Sequence, residues 1–309
     1  MTTGERSKRN KTITVSAAEA RELGPGILSP ADIAGGLSFA DTLINGDITE
    51  VAALLPDGFA DLAIVDPPYN LSKKFGATGF TAMPQEQYEA YLRTWFKQIC
   101  AKLKPDGSLY LCGDWKCSSS LQRVMEEELT VLNRITWQRE KGRGASANWK
   151  NGMEDIWFGV KDPGCYWFDL DAVKMKRRVL APYRENGCPK DWEDTPEGQF
   201  RMTCPSNFWD DISVPFWSMP ENTAHPAQKP EKLMAKLILA SCPQGGVVFD
   251  PFAGSGSACV TAKKLGRRYV GVEIDRDYCL VAAKRLRMAD EDKRIQGYED
   301  GVFRERNTR

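Results

Sequence analysis

From about residue 41 onward short apolar runs alternate with amphipathic stretches. This restricts the chain to an α/β architecture with a mainly parallel sheet and helices on both faces. Thr42 to Asn45 and Leu62 to Val65 read as buried strands, each running into an acidic turn, Gly46-Asp47 and Asp66-Pro67. Tyr88, Tyr91, Leu92, Trp95, Phe96, Ile99 and Leu103 recur at helical spacing and stop ahead of Pro105, which predicts a helix. Gly107 to Cys112 reads as the next strand, Leu121 to Leu129 as a helix, and Arg134 to Arg139 and Asp155 to Val160 as two more strands. The alternation resumes with a helix opening at Pro230, a strand over Gly246 to Asp250, and a helix over Ser257 to Leu265. A strand over Arg268 to Ile274 and a helix over Tyr278 to Met288 complete it.

Residues 161–224 break this rhythm. They hold seven prolines and several aromatics with little periodicity, which predicts a loop-rich insert rather than more sheet. The chain thus divides into an N-terminal extension (1–40), a first half of the α/β domain (41–160), the insert (161–224), a second half (225–290) and a polar C-terminal tail (291–309).

Charge constrains the partners. The 42 basic and 42 acidic residues cancel, so any contact with nucleic acid has to come from local clusters. Candidates are Lys73 and Lys74, then Arg139, Lys141, Arg143 and Lys150, then Lys176, Arg177 and Arg178; taken singly, each cluster reads as solvated surface. Seven of the nine tryptophans lie between Trp137 and Trp217, interleaved with those cations, as suits a surface that holds backbone and bases together. Trp137 joins the candidate contacts. Most of these indoles are expected in the core, with Trp149 and Trp192, in polar surroundings, as the exposed pair.

Nine cysteines without a C-x-x-C pair read as reduced thiols, and His225, the only histidine, leaves no metal-ligand cluster to assemble. No apolar run reaches the roughly 18 residues that span a bilayer, and Met1 to Lys11 is too polar for a signal peptide, so a cytoplasmic location without a membrane partner is expected.

Two motifs carry chemistry. The run Val247-Val248-Phe249 leads into Asp250-Pro251-Phe252-Ala253-Gly254-Ser255-Gly256-Ser257 and then a helix. Glycines at such a turn let the backbone approach a ligand closely. The next strand ends in Gly271-Val272-Glu273, where a carboxylate can bind ribose hydroxyls. This pattern points to a nucleoside cofactor. A nicotinamide fingerprint would need a third glycine, at the place that Cys259 takes.

The second motif is Asp66-Pro67-Pro68-Tyr69, at the end of the Leu62 to Val65 strand. Two prolines fix φ and remove two amide donors, which leaves a cleft of acceptors. An aromatic amine is a poor nucleophile because its lone pair is delocalised into the ring. Accepting its two hydrogens on Asp66 and on the Pro67 carbonyl would push the nitrogen towards tetrahedral geometry, and Tyr69 would stack on a base taken from the duplex. A bare Asp-Pro-Pro is more often a rigid turn, but here it coincides with the glycine-rich cofactor turn.

Together the motifs resemble the amino-group DNA methyltransferases in their β arrangement, in which D-P-P-Y precedes the target-recognition region and F-x-G-x-G comes last. The resemblance runs from about Leu43 to Met288. Asp66-Pro67-Pro68-Tyr69-Asn70-Leu71, Ile135-Thr136-Trp137, His225-Pro226-Ala227-Gln228-Lys229-Pro230 and Gly271-Val272-Glu273 support it. It implies a Rossmann-like S-adenosylmethionine-dependent methyltransferase fold, with catalytic and cofactor-binding halves on either side of an inserted target-recognition region at 161–224. It implies Asp66, Pro67, Pro68 and Tyr69 as catalytic. Asp66 also borders the cofactor, for which Asp250, Phe252, Ala253, Gly254, Ser255, Gly256 and Ser257 form the pocket. Asp250 lies near the methionine portion, Glu273 on the ribose hydroxyls, Asp47 near the adenine, and Lys229 towards the methionine carboxylate. His225 is expected to anchor a turn.

The implied reaction is methylation of adenine N6 in double-stranded DNA through a flipped base. N4-cytosine enzymes usually carry Ser where Asp66 stands, which favours adenine over that alternative. An RNA or protein-glutamine methyltransferase and a non-catalytic DNA-binding subunit are the other readings. The long insert and the permuted order weigh against the first, and intact Asp66, Tyr69 and Glu273 against the second. The resemblance leaves a homodimer and a cognate restriction endonuclease open as partners.

Overall fold

The structure, a computed structural model, describes residues 9–75, 78–139, 147–180, 183–196 and 198–304. Its centre is a nine-stranded sheet in the order Ile27–Leu28, Thr42–Asn45, Arg268–Glu273, Val247–Asp250, Ala60–Val65, Leu103–Asp114, Met153–Val160, Thr130–Gln138 and Phe208–Trp209. All neighbours pair in parallel except Met153–Val160, which runs against both of its partners.

Side chains in these strands alternate between two apolar layers, as the two-residue period of a pleated strand requires. Leu62 and Ile64 pack with Leu233, Leu237, Ala258 and Cys279 from the helices Glu231–Ser241, Ser257–Lys264 and Arg276–Glu291. Ala63 and Val65 point the other way, to Val51, Leu92, Trp95 and Leu121 from Ile48–Leu54, Gln85–Lys102 and Ser118–Glu126. The strands are therefore apolar on both faces, which is why they read as short continuous runs. The α/β class and the mainly parallel sheet match the expectation.

The insert differs from the expectation. Met175–Arg178, Glu193–Thr195 and Gly198–Thr203 join Val302–Arg304 and Tyr298–Glu299 in a second, five-stranded sheet. Its strands are two to six residues long and bury only scattered apolar side chains, Met175 and Phe303 among them, against helix Glu231–Ser241. So sparse an apolar pattern is hidden among prolines and charges. The same sheet takes in residues expected to form a polar tail, with Ile295 and Phe303 buried. The N-terminal extension is also ordered from residue 9. Helices Ala17–Leu23 and Pro30–Ala34 start at Ser16 and Ser29, each closed by a capping box with Glu19 and Asp32, and Ile27–Leu28 adds the outermost strand.

Trp149 is 95% exposed, as expected, whereas Trp192 is buried at 5% and donates its indole N–H to the Tyr183 carbonyl at 2.8 Å. All nine cysteines are free thiols. Among the described residues no helix is long and apolar enough to cross a membrane.

Candidate active site

The Ala60–Val65 and Val247–Asp250 strands lie side by side in parallel, with Leu62 opposite Val248 and Ala63 opposite Phe249. Beyond them the chain moves to opposite sides, to Leu103–Asp114 from one and Arg268–Glu273 from the other. That reversal opens a crevice at the carboxyl ends of the strands, where an open α/β sheet binds its ligands. Both motifs empty into it: Asp66 follows Val65, Asp250 ends its strand, and Glu273 ends the next. The reversed strand adds a residue that the sequence reading missed, because running backwards it brings its start, Glu154, to this same edge opposite Asp114 and Trp137.

A cavity of about 170 Å³ occupies the crevice, with Asp66 to Tyr69, Lys73, Arg139, His225, Phe252, Gly254 and Glu273 in its walls. A larger one, about 670 Å³, opens near Lys11, Glu221 and Tyr298. No motif residue lines it. Of its charges, Glu231 pairs with Arg285 and Lys264, and Glu299 with Arg304. The chemistry therefore belongs to the smaller cavity.

Asp66 sits in a network. Its Oδ1 accepts the Tyr69 hydroxyl at 2.8 Å and its Oδ2 accepts Lys229 Nζ at 2.6 Å. Lys229 also donates to the Tyr69 oxygen at 3.0 Å and stands 3.4 Å from Glu154 Oε2, which is 3.1 Å from the Tyr69 hydroxyl. Arg139 pairs with the other oxygen of Glu154. Burial alone would lower the Lys229 ammonium, but Asp66 and Glu154 outweigh it and raise it above the ordinary range; burial, then the same two carboxylates, pushes the Tyr69 phenol well up. Burial, with Lys229 and Lys73 beside it, holds His225 down at about 4, so its ring is neutral at pH 7.

Lys229, expected near the methionine carboxylate, donates to Asp66 and Tyr69 and faces Glu154, and it also lines a small cavity with Asp250, Phe252 and Gly254.

The glycine-rich turn is shaped by two left-handed residues, Gly254 at φ 52° and Gly256 at φ 79°. A Cβ at Gly254 would stand 3.0 Å from His225 Nε2, and one at Gly256 would stand 2.7 Å from the Ala282 Cβ. His225 therefore does more than anchor a turn, since its ring forms the wall against which the turn is moulded, edge-on to Tyr278 at 4.4 Å. Glu273 is clamped by two backbone amides, Gly254 N at 2.7 Å and Asp275 N at 2.8 Å, while burial raises its carboxyl. Phe252 rests edge-on against Trp95, and the Ala253 amide donates to the Val272 carbonyl. Arg285, also missed, donates to the Ser255 carbonyl at 2.7 Å and reaches Ser257 Oγ at 3.2 Å; that hydroxyl donates to the Lys229 carbonyl. Burial pushes the Asp250 carboxyl up to about 8. Asp47 is exposed and caps helix Ile48–Leu54 through Thr49 N, one residue from Gly46, whose amide donates to the Glu273 carbonyl.

Of the expected nucleic-acid contacts, Lys73 and Arg139 line the cavity, Lys150 is exposed, and Lys176, Arg177 and Arg178 lie on a strand of the second sheet. Trp137 is corrected: it is 1% exposed, its indole N–H donates to the Ile212 carbonyl at 2.9 Å, and it cannot stack on a base. Lys141, Arg143 and the Lys74 side chain lie outside the described residues. Among the described residues no group of His, Cys, Asp and Glu could hold a metal ion.

Comparison with known proteins agrees with this geometry. Residues 60–284 match a family model described as DNA methylase. The chain is 30% identical over 259 residues to the type II methyltransferase M.HpaI of Haemophilus parainfluenzae, covering 83% of this chain and 76% of that protein. It is 31% identical over 256 residues to the DNA adenine methyltransferase YhdJ of Escherichia coli, covering 81% and 84%. Among solved structures it is similar to the PvuII DNA methyltransferase (cytosine-N4-specific), with a TM-score of 0.59 at 19% identity over 79% of this chain and 85% of that one. It is also similar to the M1.HpyAVI–SAM complex, with a TM-score of 0.54 at 20% identity over 79% and 98%. At these identities the structural likenesses speak for the fold.

Proposed function

Because the chain belongs to the DNA methylase family that its residues 60–284 match, we propose that it transfers a methyl group from S-adenosylmethionine to the N6 amine of adenine in duplex DNA. The observation that carries this reading is the placement of Asp66 in one crevice with Asp250 and Glu273. Three carboxyl groups border the crevice, and Asp250, held protonated to about pH 8 by burial, is the one that a ligand bringing positive charge would most readily ionise. When bound, S-adenosylmethionine supplies an electrophilic methyl on a sulfonium. Glu273, fixed by its two amides, keeps lone pairs for a ribose diol.

The protein's own residues then activate the nucleophile. Tyr88 donates to the Pro68 carbonyl at 3.0 Å, so the turn is held rigid from below while Asp66 and Pro67 line the cavity. One amine hydrogen goes to Asp66 and the other to the Pro67 carbonyl, which concentrates the lone pair on nitrogen for in-line attack. After transfer the nitrogen returns one hydrogen as a proton, for which Asp66 is the nearest base. The Lys229 ammonium sits at the hydroxyl end of Tyr69, 3.0 Å from its oxygen, and the ring face offers a stacking surface for the base.

Adenine is favoured because Asp66 leads the motif and because a relative 31% identical is named as a DNA adenine methyltransferase. Target choice falls to the second sheet, where Lys176, Arg177 and Arg178 follow one another on a single strand. A homodimer and a cognate restriction endonuclease belong to the same proposal; sedimentation and the neighbouring genes test them. Labelled S-adenosylmethionine offered with DNA, RNA and protein in parallel tests the substrate class. The reading requires label in duplex DNA, and label confined to RNA or protein overturns it.

A further inference from the structure

Glu154 belongs to neither motif, yet it is buried at the catalytic edge with its side chain 3% exposed. We propose that Glu154 is a positioning residue that takes the Lys229 ammonium from Asp66 when DNA draws Arg139 away. The inference rests on the reading of Asp66 as the acceptor of the amine hydrogens.

The four charges are two carboxylates and two cations, arranged as a row: Asp66, Lys229, Glu154, Arg139. Lys229 stands between the carboxylates, closer to Asp66 at 2.6 Å than to Glu154 at 3.4 Å. In this arrangement both Asp66 oxygens carry a donor, Tyr69 on one and the ammonium on the other. A carboxylate that faces an ammonium at contact distance is a weak acceptor for a neutral amine, because the cation draws its charge. Asp66 gains strength only if Lys229 moves. The side chain is 5% exposed, and a buried ammonium does not leave one carboxylate without another to meet it. Among the described residues the other carboxylate within reach is Glu154.

What decides the position of Lys229 is how much of the Glu154 charge is already spoken for. Arg139 neutralises it from the outside. The Arg139 side chain is 40% exposed and lines the same cavity, and the residue closely precedes Lys141 and Arg143 in sequence. An accessible guanidinium at the mouth of a DNA-binding crevice is a phosphate ligand, and its fork fits a phosphate as well as a carboxylate. Once a phosphate holds Arg139, the Glu154 charge is left to Lys229, the ammonium leans across a gap already short, and Asp66 is unmasked. The acceptor is thus strengthened only when DNA is seated.

The test uses the full chain, PCR-amplified DNA of several kilobases and labelled S-adenosylmethionine, with steady-state rates measured for Glu154→Gln, Glu154→Asp and Arg139→Gln. Without the Glu154 charge Lys229 stays on Asp66, so Glu154→Gln should lower kcat roughly tenfold or more while the KM for DNA and the affinity for S-adenosylmethionine stay within about twofold. Glu154→Asp keeps the charge and should recover most of kcat. Arg139→Gln should do the opposite of Glu154→Gln, raising the KM for DNA and sparing kcat. A Glu154→Gln enzyme with unchanged kcat overturns the proposal, and so does an Arg139→Gln enzyme that loses kcat equally. If Glu154→Gln fails to fold, as thermal unfolding would reveal, the Glu154→Asp and Arg139→Gln pair decides by the same criteria. A wild-type chain that methylates no DNA overturns the catalytic reading itself, and this proposal with it.

Discussion

Replacing Asp250 by Asn should stabilise the ligand-free protein, and increasingly so as the pH rises. Burial pushes this carboxyl from an ordinary 3.8 up to about 8, and the neighbouring Asp66 and Glu273 carboxylates add to the effect. In the unfolded chain the proton leaves near 3.8, whereas in the folded protein it is retained to about 8. The folded state therefore binds the extra proton between these values. The stabilisation from it is fully present below 3.8 and is lost as the pH rises through about 8, with a slope of about 1.4 kcal/mol per pH unit. The full difference bounds the effect at about 6 kcal/mol. Over the two pH units between 6 and about 8 that slope amounts to about 3 kcal/mol of divergence. Asn keeps the size and the acceptor for the Phe252 amide but cannot ionise. The assay is urea unfolding of both proteins from pH 6 to pH 9. The two stability curves should diverge with pH, while the affinity for S-adenosylmethionine falls in the variant. Parallel curves would refute the argument, because they would mean that Asp250 ionises as freely in the fold as outside it.

Three further outcomes follow from the same site. Asp66→Ala should lower kcat by roughly 10²-fold or more and leave calorimetric binding of S-adenosylmethionine largely intact, since it removes an acceptor used only by the reacting amine. Glu273→Ala should weaken that binding by about 1.5–3 kcal/mol, the range of a charge-assisted hydrogen bond, and change kcat at saturation much less. Gly256→Ala should destabilise the fold by about 2 kcal/mol or more in thermal unfolding, because its φ of 79° disfavours a side chain and the new Cβ would meet the Ala282 Cβ at 2.7 Å.

The sheet and both motifs were legible because each signal is local. A strand buried on both faces reads as an apolar run, and the turns at Asp66 and Gly254 follow such runs at once. What escaped depends on distant pairing. The five-stranded sheet unites residues 175–203 with residues 298–304, and no local pattern announces a partner a hundred residues away. Trp137 was placed at the DNA because arginine and lysine surround it in sequence, yet strand alternation turns it inward beside Ile135 and Ile156. The motif around Lys229 is legible in sequence, but its ion pairs are not, because Glu154 reaches the ammonium only through the reversed strand. A signal for Glu154 did exist: Glu154 and Asp155 are two acids at the head of the apolar run Ile156 to Val160, and acids entering a buried strand need partners.

The most direct test of the central claim is the identity of the methylated base. Duplex DNA treated with the protein and isotopically labelled S-adenosylmethionine is digested to nucleosides and resolved by mass spectrometry, with Asp66→Ala treated in parallel. The account predicts label in N6-methyldeoxyadenosine from the wild type and none from the variant. Label in N4-methyldeoxycytidine would contradict the target, and equal label from the variant would contradict the role of Asp66.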